Sequence, residues 1–174
     1  MTSPAEEPAS PHSRLRAFLF PRLTHAYLLR VAAVAVASYL LFGHLCIPLK
    51  IDGQSMEPAY RDGSWTFCWR PAYAFRDPEH HDVVAVRLSG RRIVLLKRVV
   101  ATEGETVSFV DGILFVNGRP VEEPYVRTPC DWNLAPRIVQ TGNVYVVGDN
   151  RGMAMEAHDF GQVTRERVVG APLW

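Results

Sequence analysis

Arg92-Ile93-Val94-Leu95-Leu96-Lys97-Arg98-Val99-Val100-Ala101 is the stretch whose reading decides the fold. Rich in valine and leucine, it predicts a strand over Ile93 to Ala101. Period-two alternation then places Ile93, Leu95, Lys97 and Val99 on one face and Val94, Leu96, Arg98 and Val100 on the other. Lys97 shares its face with aliphatic neighbours. The chain has 17 arginines and only two lysines, the other being Lys50. A lysine among aliphatics therefore suggests chemistry that arginine cannot perform, because lysine gives up its proton when desolvated and arginine does not. Burial would pull its pKa down from about 10.4, toward the value a general base needs.

Outward from this strand the pattern stays β. Ser64 to Trp69 alternates with period two, and Asp82 to Leu88 is another valine-rich run. Val107 to Val110, Ile113 to Val116 and Val144 to Val147 come next, with Asp111-Gly112 and Asn117-Gly118 marking tight hairpins. No convincing amphipathic helix occurs beyond residue 50. The expected fold is mostly β, a compact antiparallel domain over residues 50–174. Within it, residues 119–142, rich in Pro, Asp and Asn from Glu122 to Gln140, read as a cap or long connection. Trp65, Phe67 and Trp69 fall on one strand face. They read either as core, the slightly favoured alternative, or as an aromatic edge dipping into a lipid headgroup layer.

Ahead of the β domain, Val31 to Ile47 is apolar or small apart from Ser38 and His44. With Tyr27 to Leu29 added and Arg30 snorkelling, it matches the ~30 Å of a bilayer core. A single transmembrane anchor is expected over residues 25–49. A cleaved signal peptide is the competing reading, but the run is longer than usual for one and lacks a small-x-small cleavage site. Arg14, Arg16, Arg22 and Arg30 precede the apolar run that starts at Val31, a bias that holds the N-terminus in the cytoplasm and exports the β domain. Residues 1–24, proline-rich and without hydrophobic periodicity, read as a disordered cytoplasmic tail.

Composition narrows the function. A net charge of +1 with 21% charged residues carries no nucleic-acid footprint. Cys46, Cys68 and Cys130 form no CxxC pair, and His80-His81 lacks further ligands at suitable offsets, so neither metal nor cofactor is expected. Cys68 and Cys130 would both be exported, as a disulfide or as two free thiols.

Forty-two residues before Lys97 lies Gly53-Gln54-Ser55-Met56-Glu57-Pro58, a serine in a tight, Gly/Pro-flanked turn. Taken alone, a turn serine more often caps backbone groups, and a strand lysine more often sits on an edge with its amine in solvent. Taken together, a serine and a low-pKa lysine form a two-residue answer to the task of a catalytic triad.

The order of landmarks resembles the type I signal peptidase family, membrane-anchored Ser/Lys-dyad endopeptidases. Ser55-Met56-Glu57-Pro58 looks like its nucleophile motif, with Arg61-Asp62-Gly63 just after it. His81-Asp82-Val83-Val84 is similar to the family's Gly-Asp-Ile-Val, and Lys97-Arg98-Val99-Val100 begins a block like the one that supplies the base. Gly148-Asp149-Asn150-Arg151 matches the last motif outright.

The resemblance implies that Ser55 is the nucleophile, Lys97 the base and the Ser55 N–H an oxyanion donor. Gly53 stands where some members carry a further hydroxyl donor. It also implies supporting roles for Met56, Pro58, Arg98, Gly148, Asp149, Asn150, Arg151 and Glu156. The implied partners are a lipid bilayer and the signal peptides of exported preproteins, at the bacterial cytoplasmic membrane.

One departure stands out. Where the family has a serine that bonds the lysine, an aspartate and an arginine, this chain has Ala154, Glu156 and His158. Two other readings remain beside a general signal peptidase. One is a specialised processing peptidase of conjugative-transfer or pilin type; the other is a membrane-anchored module that binds exported peptides without cutting them.

Overall fold

A computed structural model describes residues 24–87 and 94–173. The expected cytoplasmic tail, apart from Thr24, lies outside the described residues, as do Leu88 and Ile93 at the ends of two predicted strands. Residues up to Leu40 and from Leu41 onward form two separate units.

The first unit contains α1, His25–Leu40. Its start is capped by Thr24, whose hydroxyl accepts a hydrogen bond from the Tyr27 N–H at 3.2 Å. Alanine, valine and leucine cover all sides of this helix, and none of its residues is buried. The helical stretch His25–Leu45 is long and apolar enough to cross a membrane by length and composition.

In the second unit, Leu41–Leu45 form one π-helical turn. After it come eleven strands among the described residues: β1 (Cys46–Lys50), β2 (Trp65–Trp69), β3 (Val83–Arg87), β4 (Val94–Ala101), β5 (Thr106–Val110), β6 (Ile113–Val116), β7 (Arg119–Pro120), β8 (Leu134–Ile138), β9 (Asn143–Val147), β10 (Gly161–Thr164) and β11 (Val168–Pro172). Seven pair in the order β1-β2-β11-β3-β4-β9-β10, and four in the order β7-β6-β5-β8. The pairings are antiparallel. The mostly β fold expected from the sequence is what the chain adopts, with only three short 3-10 turns after residue 50 among the described residues.

Several particulars differ from expectation. The apolar run read as anchor to residue 49 stops being helical at Leu45, and Cys46–Lys50 pair with β2 instead. Residues 119–142 contain two strands, β7 and β8, that flank the smaller sheet. In β2 the inward face belongs to Thr66 and Cys68, which are buried, while Trp65 is 64% exposed and Phe67 and Trp69 are half-buried. The aromatic face is therefore not the core: alternation forces a choice, and the smaller side chains face inward, Cys68 beside Ile51, Met56, Ala85 and Leu96. All three cysteines are free thiols, with Cys68 on the large sheet and Cys130 against the Gly112 carbonyl by the small one.

Candidate functional site

Ser55 rides on the loop between β1 and β2. The β1–β2 ladder continues past Lys50 and Trp65 through Ile51 N–H to Ser64 O, 2.9 Å, and Gly63 N–H to Ile51 O, 3.0 Å. That closes the base of the loop. Within it, Gly53 adopts φ +103°, a backbone region that L side chains rarely enter, and its N–H donates to Asp62 Oδ1 at 2.9 Å. Met56 is fully buried against Ile51, Cys68, Ala85 and Leu96, so the residue after Ser55 anchors the turn in the core. The Glu57–Pro58 peptide is cis.

Lys97 comes from the middle of β4, opposite Val84 of β3, and is 3% exposed. Its Nζ donates to Ser55 Oγ at 2.9 Å. Burial lowers its pKa from the ordinary 10.5 to about 8, against the opposing negative charge of Asp159. Beside it lies a cavity of about 170 Å³ whose aliphatic wall includes Val86, Leu95, Val146 and Val163. Such a wall can take a small apolar side chain beside the Lys97 amine.

The segment after β9 supports the opposite side of the serine turn. Asn150 donates twice, from its backbone N–H to Ser55 O at 2.9 Å and from Nδ2 to Gln54 O at 3.1 Å. A side chain at Gly148 would overlap both the Ser55 carbonyl oxygen and the His158 ring, so glycine there permits the close approach. Asp149, fully buried, accepts two hydrogen bonds from Arg98, at 2.8 and 2.6 Å, and Arg98 also donates to the His81 carbonyl at 2.8 Å. Arg151, 1% exposed, donates from Nε to Gly148 O and from its two terminal nitrogens to the Glu123 carboxylate, at 2.9 and 2.5 Å. Tyr125 links the two pairs: Arg98 stacks over its ring at 4.1 Å, and its hydroxyl donates to Glu123.

Ser55, Lys97, Gly53, Met56, Arg98, Gly148, Asp149, Asn150 and Arg151 thus converge on one region, with Pro58 in the same loop. Glu156 does not join them. It is exposed, on the 3-10 turn Met155–Ala157, and makes no hydrogen bond or ion pair among the described residues. Nor does it meet His158, which is buried with its ring edge-on to Trp132 at 4.9 Å. Neither His158 ring nitrogen has a hydrogen-bond partner of good geometry, although the Asn150 backbone lies near enough to oppose its shift slightly. Burial, with the charges of Lys97 and Arg151, lowers its pKa to about 4.

Two participants have no visible signal in the sequence. Glu123 is hidden in a polar stretch that looks like a connection, and Asp159 carries no motif. The arginine of Gly148-Asp149-Asn150-Arg151 signals a needed counter-ion without saying which.

The site's chemistry is that of a serine hydroxyl bonded to a buried lysine amine, on a β scaffold that comes after an apolar helix. The family profile described as "Signal peptidase, peptidase S26" matches residues 23–173, and the chain belongs to that family. It is 33% identical over 153 residues to "Thylakoidal processing peptidase 1, chloroplastic" of Arabidopsis thaliana, covering 81% of this chain and 45% of that one. It is 29% identical over 154 residues to "Probable signal peptidase I-1" of Synechocystis, covering 84% and 78%. The chain thus spans less than half the length of the plant relative. A solved signal peptidase I from Enterococcus faecalis aligns with TM-score 0.46 and 25% identity, over 55% of this chain and 97% of that one.

Proposed function

We propose that the chain is a membrane-anchored serine endopeptidase that removes N-terminal signal peptides from exported preproteins. The observation that carries this reading is the 2.9 Å contact between Lys97 Nζ and Ser55 Oγ in a chain of the signal peptidase family. Ser55 is the nucleophile and Lys97 the general base. The neutral amine accepts the hydroxyl proton as Oγ attacks the scissile carbonyl. The ammonium so formed returns the proton to the leaving amine nitrogen as the C–N bond breaks. Water, deprotonated by the same lysine, then releases the acyl group from Ser55.

Charge on the tetrahedral oxygen falls to the Ser55 N–H, which makes no backbone hydrogen bond among the described residues. The Gly53 N–H is already committed to Asp62. The aliphatic wall beside Lys97 supports a preference for small apolar residues at the cut.

The enzyme sits in the bacterial cytoplasmic membrane. Residues 1–24 lie inside, the apolar helix crosses, and the β domain works on the outer side. This orientation rests on the arginine bias before the span. To test the activity, detergent-solubilised protein is incubated with a preprotein beside Ser55→Ala and Lys97→Ala. Cleavage by the parent that both variants abolish is expected. An inert parent that still binds the signal peptide would replace the enzyme with a peptide-binding module.

A further inference from the structure

We propose that Asp159 is the positioning residue for Lys97, a carboxylate set on the shared cavity to hold the ammonium formed when Lys97 takes the Ser55 proton. The proposal deepens the Ser55–Lys97 reading and rests on it. A lysine that works as a base needs something to aim its amine and to receive the charge it acquires, and position 154 offers only a methyl group. The Lys97 amine makes one hydrogen bond among the described residues, to Ser55 Oγ.

Asp159 lines the same cavity and is the one acidic side chain to do so among the described residues. Its carboxylate is uncommitted, with no hydrogen bond or ion pair among those residues. Asp149 and Glu123, by contrast, are each bound to an arginine.

The other charged groups facing the cavity are cations, Arg87 from β3 and Arg167 from the turn before β11, while β9 contributes only Val146. Behind Gly148, the buried His158 ring stays neutral above about pH 4. Of the charges that line the cavity, Asp159 is the one that acts on the Lys97 amine. The carboxylate, itself exposed, favours the charged amine across the cavity rather than by a direct bond, since no ion pair within 4 Å joins the two. Asp159 is also the single charge that opposes the lowering of the Lys97 pKa.

The chain's two lysines make a direct test available. The full chain, with ¹³C at lysine Cε, shows two resonances in detergent micelles, and Lys97→Ala identifies the Lys97 signal. Asp159→Asn should lower the Lys97 titration midpoint by roughly half to one pH unit while Lys50 stays put, and Asp159→Glu should restore it. In the cleavage assay, Asp159→Asn should move the acidic limb of kcat/KM down by the same amount and reduce its plateau about three- to tenfold. A Lys97 midpoint that does not move in Asp159→Asn, with the fold intact by the Lys50 resonance, overturns the proposal. A midpoint that moves in a protein that never cleaves would sink the hydrolytic reading while upholding the electrostatic coupling.

Discussion

Lys97 and Arg98 are neighbours on one strand, are both cationic at acidic pH, and meet opposite environments. Arg98 is held by two hydrogen bonds to a fully buried aspartate, a third to a carbonyl and an aromatic ring across its plane. Lys97 has one neutral hydroxyl, a largely aliphatic wall and, across the cavity, a carboxylate it does not bond. Alternation along β4 makes the difference, sending one side chain toward the Asp149 segment and the other toward the cavity. The paired cation is a structural rivet. The unpaired one is kept reactive, because burial without a bonded counter-ion favours the neutral amine. Arg151, clamped to Glu123, belongs with Arg98.

The largest effect should come from breaking the reactive side. Lys97→Ala and Ser55→Ala should each lower kcat/KM by at least about a thousandfold with little change in the far-ultraviolet spectrum. Parent activity should rise with pH and level off above about pH 8, the Lys97 pKa. A profile flat from pH 6 to 10 would show that the lysine is not the titrating base.

On the riveted side, Glu123→Ala leaves the Arg151 guanidinium buried and without its carboxylate, which should cost about 3–5 kcal/mol in a denaturant melt. A loss below about 1 kcal/mol would reduce this pair to a surface-like contact.

His158 sets the acid limit of the fold. Its pKa is about 4 when folded and near 6.5 when unfolded, so the unfolded chain takes up the proton first as pH falls. Stability present above pH 6.5 should decline toward pH 4 by about 3 kcal/mol, and His158→Phe should flatten that decline.

The smallest change sharpens the comparison most. The Lys97 pKa is lowered on folding, so between pH 8 and 10.5 the unfolded chain holds the extra proton, and stability rises with pH across that window. Below pH 8 the fold bears the full cost of a buried ammonium. Lys97→Met should therefore stabilise the protein by about 2 kcal/mol at pH 7, with the gain gone by about pH 10.5. Arg98→Met should destabilise at both.

Legibility in the sequence tracks strand position. The predicted strands β2, β3, β4, β9, β5 and β6 are interior to their sheets, where close packing imposes a regular pattern. The edges β1, β10, β7 and β8 carry no such pattern. An edge strand has one partner and tolerates proline, as Pro48, Pro120 and Pro136 show, so its signal fades into loop or, for β1, into the apolar run before it. The interior strand β11 is equally hard to see, its run broken by Gly170 and Pro172 and its pairing by a register shift.

Local patterning marked Ser55 and Lys97 as candidates, singled out by the order of the motifs around them, because a Gly/Pro-flanked turn and a strand's alternation are short-range facts written in adjacent residues. The same was true of the β class and the apolar span. Which carboxylate meets which arginine was settled only when distant segments packed, bringing Glu123 to Arg151 and Asn150 to the carbonyls of Gln54 and Ser55. Partner choice between buried charges depends on geometry across tens of residues, and no periodicity encodes it. The same holds for Asp159, whose place beside Lys97 exists only because β10 folds back along β9.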